Sequence, residues 1–411
     1  MSDSADSGAS MKQAQLAERK RAAEAAVQAQ REDLIALSHR IHETPELGFQ
    51  EHKASAWAAQ YLQDHGFGVE LGVGALPTAF RAEFRTGNGD GPTIAILAEY
   101  DALAGLGHAC GHNVICTSAL GAAVAAARAL EGEPARILCI GTPAEETGGG
   151  KIILIENGVF EGVDAAMMVH PGTEHLMVRG ALSCITMTVR FHGRSAHAAG
   201  APERGINALD ALVTMYNSVG LLRQHVKDDV RIHGIFTKAG DAPNVTPHLT
   251  EAVYYVRARS HLYVQEVLQK VIACAEAGAT ATGCTMEYKT DRMYRERRNN
   301  HLMAGLYQSN LEGFGEHATP PPEHGGVGSS DIGNVSLVCP TIHPYVAMAP
   351  AGTAGHSPEF REAARSEAGD RALLLAAKCM AQTVVDLVAD PANLARAKAE
   401  FAAAQRAEAA N

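Results

Sequence analysis

The chain has 411 residues, 46% hydrophobic and 20% charged, with a formal net charge of -11. Such values belong to a globular chain and exclude disordered, low-complexity and collagen-like architectures. The acidic balance excludes the clustered Lys and Arg on which broad nucleic-acid binding depends, and the length predicts about two domains.

Residues 1–30 carry no apolar run after a basic start, and no uncharged apolar stretch reaches the roughly 18 residues needed to span a bilayer. A cytoplasmic location with neither membrane nor nucleic-acid partner is therefore expected. The eight cysteines are scattered through apolar stretches and read mostly as reduced core thiols. The nineteen histidines are many for this length, and several stand beside Gly, Pro or acidic residues, a first sign of metal ligation.

In chain order, Met11 to His42 is rich in Ala, Gln, Glu, Lys and Leu without Gly or Pro and predicts one helix. Pro45 to Gly66 predicts a second, stopped by Gly66. After the turn-rich TGNGDGP, three short apolar runs (TIAILAEY, RILCIGTP, DAAMMVHP) alternate with the helical segments NVICTSALGAAVAAARAL and GKIILIENGVF. This βαβαβ rhythm predicts an α/β fold with a mixed, mostly parallel sheet covered by helices, and such sheets collect ligands beyond the carboxyl ends of their strands. At those ends stand Asp101 and HACGH, then Glu145 and Glu146, then His170.

From residue 180 the order becomes βαββαβ: ALSCITMTVRFHG, a helix over Gly205–His225, VRIHGIFTKAG, LTEAVYYVRARS, a helix over Val264–Ala277, and TMEYKTD. This predicts an inserted ferredoxin-like lid or dimerisation domain over residues 180–291, with residues 1–179 and 292–411 forming the metal-binding domain. The chain would return through the Gly-rich HGGVGSSDIGNVS and end in a helix over Ala363–Asp386.

The chemistry concentrates at the strand ends. In an extended or turn segment, Cys110 and His112 can face the same point and share a metal; a buried Cys with a helix-capping His fits the same spacing. The adjacent Glu145 and Glu146 need different roles: Glu146 as ligand and Glu145 as general base, unless both are solvated surface carboxylates. His170 at the end of an apolar run reads as a ligand or a core histidine, and His356, in a Gly-rich loop without large apolar neighbours, as the remaining ligand. This set exceeds a tetrahedral structural site and suits two metals. His197, in the insert, is a candidate oxyanion donor or a surface histidine, and Asn244 and Arg257 are candidate grips for a substrate carbonyl or carboxylate.

Together HETPELGFQEHKAS, AEYDALAGLGHACGHN, GTPAEETGGGK, VHPG, GRSAHAAGAPERGINAL, NVTPH and the late GH resemble the aminoacylase and carboxypeptidase-G superfamily of metallopeptidases. The HACGH form is similar to the branch holding auxin-conjugate, hippurate, aminobenzoyl-glutamate and β-alanyl-dipeptide hydrolases. The resemblance implies that Cys110, His112, Glu146, His170 and His356 bind two divalent metals, and that Glu145 is the general base. It also implies that His197 assists substrate and oxyanion binding, often across a homodimer formed by the insert, and that Asp101 orients a ligand. Glu99, Ala104 and Asn113 depart from the branch's usual Asp-x-Asp-Ala-Leu-Pro and HACGHD, and the EYDAL, GHN and VHPG forms lie nearest the aminobenzoyl-glutamate and β-alanyl-dipeptide members.

The expected activity is hydrolysis of a small N-acyl amino acid or dipeptide. A hydrolytic deaminase on the same scaffold is the alternative, and a catalytically dead metal-binding regulator is disfavoured by the intact Glu145. The thiolate favours zinc, while the nitrogen and oxygen donors also accept manganese, cobalt or nickel.

Overall fold

A computed structural model describes residues 3–321 and 328–409. The chain divides into two compact units, with boundaries at Gly180/Ala181 and Glu296/Arg297.

The first unit opens with helices α1 (Asp3–Ala29) and α2 (Arg31–Glu43). The single helix expected over Met11–His42 is broken at Gln30, whose side-chain amide donates to the Ala26 carbonyl at 2.8 Å and accepts from the Tyr61 hydroxyl at 2.7 Å. Helix α3 (His52–Asp64) starts later than the sequence suggested. The Glu46 carboxylate accepts from the Lys53 and Ala54 amides, both at 2.9 Å, and so caps the helix from a preceding loop. Two short strands, β1 (Gly68–Leu71) and β2 (Phe80–Arg85), were not anticipated. β1 is largely exposed and carries no strong apolar pattern.

The expected βαβαβ follows: β3 (Thr93–Ala98), α4 (His112–Ala129), β4 (Arg136–Gly141), α5 (Gly150–Glu156) and β5 (Ala165–Met167), then the short β6 (His170–Gly172). Every residue of β3 is buried, as befits a parallel strand covered on both faces.

The second unit runs β7 (Ser183–His192), α6 (Ala208–Leu222), β8 (Arg231–Lys238), β9 (Leu249–Ala258), α7 (His261–Thr282) and β10 (Thr285–Thr290). Its antiparallel sheet has the order β10-β7-β9-β8, the ferredoxin-like arrangement. Ile185, Met187, Val189 and Phe191 of β7 and Ala252, Tyr254 and Val256 of β9 alternate inward onto Leu212, Met215, Val264 and Val271 of the two helices. The unit extends to Glu296, beyond the expected residue 291, because the chain after β10 stays bonded to β7. Tyr294 and Cys184 exchange backbone hydrogen bonds, and Ser183 Oγ donates to the Glu296 carboxylate.

The returning chain adds α8 (His301–Gly313), α9 (Ile332–Val335), β11 (Thr341–Ile342), β12 (Tyr345–Ala347), α10 (Pro358–Ala363), α11 (Glu367–Ala389) and α12 (Pro391–Ala409) to the first unit. Helices α8 and α12 were not foreseen, and the Gly-rich return segment lies partly outside the described residues. The six-stranded sheet has the order β1-β2-β4-β3-β5-β11, with β4, β3, β5 and β11 parallel and the β1/β2 edge antiparallel. β6 and β12 form a separate parallel pair. Helix α4 is buried along almost its whole length and packs against α1 and α11. By length and composition α11 could cross a membrane, but 83% of its most apolar window is buried in the unit, which makes it a core helix.

In the second unit α6 and α7 touch at Gly278, where an added Cβ would lie 2.5 Å from the Ala211 carbonyl oxygen. Gly278→Ala is therefore expected to destabilise that unit by about 1–3 kcal/mol. Thermal unfolding followed by circular dichroism checks this: an unchanged Tm would show that the helix spacing is not limiting.

Candidate metal centre

The turn after β3 carries Asp101, and the loop beyond it leads through Cys110 to Gly111, whose left-handed φ of 79° starts α4. A side chain there would meet the Pro171 ring at 2.6 Å, so glycine alone lets the Cys110–His112 turn approach the β6 segment this closely. Ala144, just past β4, also has a positive φ of 59°, and its amide donates to the Glu51 carboxylate at 2.8 Å, which holds the backbone ahead of Glu145 and Glu146. His356, at φ 56°, is fastened by its amide to the Ala109 carbonyl at 3.1 Å.

These backbones bring the candidate ligands together. Cys110 Sγ lies 3.4 Å from His170 Nε2, and His356 Nε2 lies 3.3 Å from Glu146 Oε1. Donor atoms of Cys110, His112 and His170 fall within 4.8 Å of one another, as do those of Cys110, Glu146 and His356 and those of His112, Glu145 and Glu146. Cys110 belongs to two of these sets.

Hydrogen bonds behind the cluster fix which atoms face it. His112 Nδ1–H donates to Asp101 Oδ1 at 2.9 Å, leaving Nε2 with a lone pair, and His170 Nδ1–H donates to the Pro171 carbonyl at 2.6 Å with the same effect. The second Asp101 oxygen accepts from the Glu146 amide at 3.0 Å. His112 Nε2 is buried without a hydrogen-bond partner, and the buried Glu146 Oε1 has only the His356 ring facing it at 3.3 Å, a costly arrangement for polar atoms unless a cation completes them. The residues present therefore fit a metal group. Burial draws the His170 imidazole down to about 3, so the ring is neutral and ready to ligate.

Behind the cluster lies a salt-bridge network that sequence reasoning passed over. The Lys151 ammonium, 0% exposed, donates to Glu99 at 2.5 Å and Asp331 at 2.7 Å. Glu99, Glu145 and Asp331 form another set of close carboxylates, and here the protein's own ammonium supplies the positive charge. Burial pushes the Glu145 carboxyl well above the usual range, and Glu99 and Glu146 add repulsion. The available signal was Lys151 at the start of the apolar GKIILIE, an unusual place for a charge. His108 and His343, both buried with no partner on either ring nitrogen, were also missed.

The remaining candidates lie in the second unit. His197 is exposed, and its Nδ1 accepts from the Ala199 and Gly200 amides at 3.2 and 3.0 Å, so Nε2 carries the proton and faces outward as a donor. Asn244 is exposed beside it, its main-chain carbonyl accepting from the Ala198 amide at 3.0 Å. Arg257 sits on β9 with its guanidinium 5.3 Å from the Tyr255 ring.

Residues 179–282 match the family model described as a peptidase dimerisation domain. The chain is 39% identical to the Xaa-Arg dipeptidase of Mus musculus, over 90% of this chain and 89% of that one. It is 30% identical to a p-aminobenzoyl-glutamate hydrolase chain of Escherichia coli (strain K12), over 89% and 91% of the two chains. A solved Bacillus subtilis structure, described as a dinuclear metal binding peptidase from the M20 family, shares the fold with a TM-score of 0.65 at 22% identity, covering 88% of this chain and 99% of that one. With likeness of this extent to named dipeptidases and hydrolases, the chain belongs to the M20 metallopeptidases, the aminoacylase and carboxypeptidase-G superfamily, and is a metal-dependent peptidase or amidohydrolase.

Proposed function

We propose that the protein hydrolyses the amide bond of a small dipeptide or N-acyl amino acid, with Xaa-Arg dipeptides first among the substrates to try and aminobenzoyl-glutamate second. The observation that carries this reading is the convergence of Cys110, His112, Glu146, His170 and His356 beyond the carboxyl ends of β3 and β4, with Glu145 beside them. Those five residues are the proposed ligands of two divalent cations, zinc or manganese by the chemistry of the donor set. When bound, such cations polarise a scissile carbonyl and make water nucleophilic near neutral pH.

The chain's own residues supply the rest. Asp101 holds the His112 ring in the tautomer that offers Nε2 and fixes the Glu146 backbone. Glu145 takes the proton of the attacking water and delivers it to the leaving nitrogen. His197, with its proton on Nε2, is the proposed donor to the developing oxyanion, contributed by the second copy of a homodimer.

Glu145→Gln is expected to lower kcat by about 10²–10⁴-fold with metal content unchanged. Metal analysis beside steady-state kinetics checks it, and full activity in the variant would remove Glu145 as the base. Chelator-stripped protein should lose release of arginine from alanyl-arginine and regain it with zinc or manganese. Ammonia in place of an amino acid would indicate a deaminase. His197→Ala should cost about 10²–10³-fold in kcat, and light scattering should give twice the chain mass; a monomeric mass would end its proposed role across the dimer.

A further inference from the structure

The segment over residues 46–51, in the motif HETPELGFQEHKAS, bears no candidate ligand, yet it is bonded to two loops that do. Leu47 pairs with Ala102 in a parallel bridge, and the Glu46 carbonyl accepts from the Ala102 amide at 2.8 Å, next in the chain to Asp101. At the other end of the segment the Glu51 carboxylate accepts from the Ala144 amide at 2.8 Å, just ahead of Glu145, and from Thr78 Oγ1 at 2.9 Å. The two loops are themselves joined where Asp101 accepts from the Glu146 amide.

The segment fits closely against the second loop. At Gly48 an added Cβ would lie 2.4 Å from Thr147 Oγ1 and 3.0 Å from the Ala144 Cα, and at Gly148 one would lie 2.1 Å from the Phe49 ring. Phe49 and Ala144 adopt positive φ values of 64° and 59°, a backbone state that persists outside glycine only where surrounding contacts outweigh its cost. Ala144 is held on both sides, its N–H by Glu51 and its carbonyl by the Gly148 and Gly149 amides at 3.1 and 2.9 Å. It is also 0% exposed, so water does not reach that N–H. Without Glu51 the amide would be buried and unsatisfied, and φ at Ala144 would be free to relax to negative values. Rotation about that bond swings the next residue, Glu145.

Glu51 is itself 0% exposed. Both groups facing its oxygens are donors, the Ala144 N–H and the Thr78 hydroxyl, which calls for an acceptor-only side chain. The arrangement is costly, since burial pushes the Glu51 carboxyl up to about 7. A packing role alone does not explain a carboxylate there.

We propose that Glu51 is a positioning residue for catalysis: by anchoring the Ala144 amide it fixes the direction in which Glu145 faces the ligand cluster. Glu51 touches neither substrate nor the reacting atoms and acts through Glu145 alone. The catalytic consequence rests on the amidohydrolase reading above, whereas the anchoring does not.

The test compares metal-loaded wild type, Glu51→Ala and Glu51→Gln on alanyl-arginine, each also in a Glu145→Gln background. Glu51→Ala should lower kcat by roughly 10- to 100-fold, as a displaced base implies, with KM and metal content close to wild type. Glu51→Gln, whose amide oxygen still accepts from Ala144, should recover most of that loss. In the Glu145→Gln background Glu51→Ala should cost less than about 2-fold, because a residue acting only through Glu145 has nothing left to position. The full loss in that background, a fall in metal content that accounts for the loss, or wild-type kcat in Glu51→Ala each overturns the proposal. If Glu51→Ala fails to fold, Glu51→Asp, whose shorter side chain withdraws the acceptor, is read by the same criteria.

Hydrogen exchange measured by mass spectrometry over residues 142–150 decides the anchoring even if no form hydrolyses alanyl-arginine. Exchange there should be faster in Glu51→Ala than in wild type or Glu51→Gln, with β3 unchanged. That pattern in a protein inactive on the peptide removes the substrate reading and supports the anchoring. Unchanged exchange over 142–150, or exchange accelerated equally in β3, overturns it.

Discussion

Glu99, Asp101, Glu145, Glu146 and Asp331 come together where β3 and β4 end and the returning chain crosses them, and Glu99, Asp101 and Asp331 have at most 1% of their surface exposed. Carboxylates withdrawn from water need partners, or they take up protons. The Lys151 ammonium serves Glu99 and Asp331. The His112 ring serves Asp101, to whose Oδ1 its Nδ1–H donates. After these pairings the atoms left over are His112 Nε2 and Glu146 Oε1, facing Cys110, His170 and His356. The proposed metal site is built on that remainder.

Holding so much charge in place requires a stiff frame, and the fold provides it with buried, regular elements. β3 is inaccessible throughout, and α4, rich in alanine, is enclosed by α1 and α11. At its rim the frame tolerates unusual backbone: Gly111, Ala144 and His356 all adopt positive φ beside the candidate ligands. Conformations of this kind persist when surrounding contacts outweigh their cost, and here the Glu51 carboxylate and the Ala109 carbonyl supply such contacts.

Where a pattern is local, the sequence was a good guide. The βαβαβ rhythm and the βαββαβ insert both read from apolar runs and their spacing, because strands buried on both faces and strands with one wet face leave different alternations. Elements without such marks were missed. β1 is short and exposed, α8 and α12 lie beyond the last motif, and the break at Gln30 depends on a bond to Tyr61, a residue on another helix. The start of α3 was misplaced for a similar reason, since its cap is a glutamate several positions upstream.

The sequence by itself determined the fold class, the inserted module and the candidate ligands, because those ligands occupy strand ends and glycine-rich turns whose chemistry is written in adjacent residues. Only the tertiary structure decided that Cys110 belongs to two ligand sets, that Lys151 occupies a pocket of carboxylates, and that the Glu51 carboxylate meets the Ala144 amide. Each of those facts joins residues far apart in the chain, and charge balance in a dry interior depends on which groups end up within a few ångströms. Spacing along the sequence does not carry that distance.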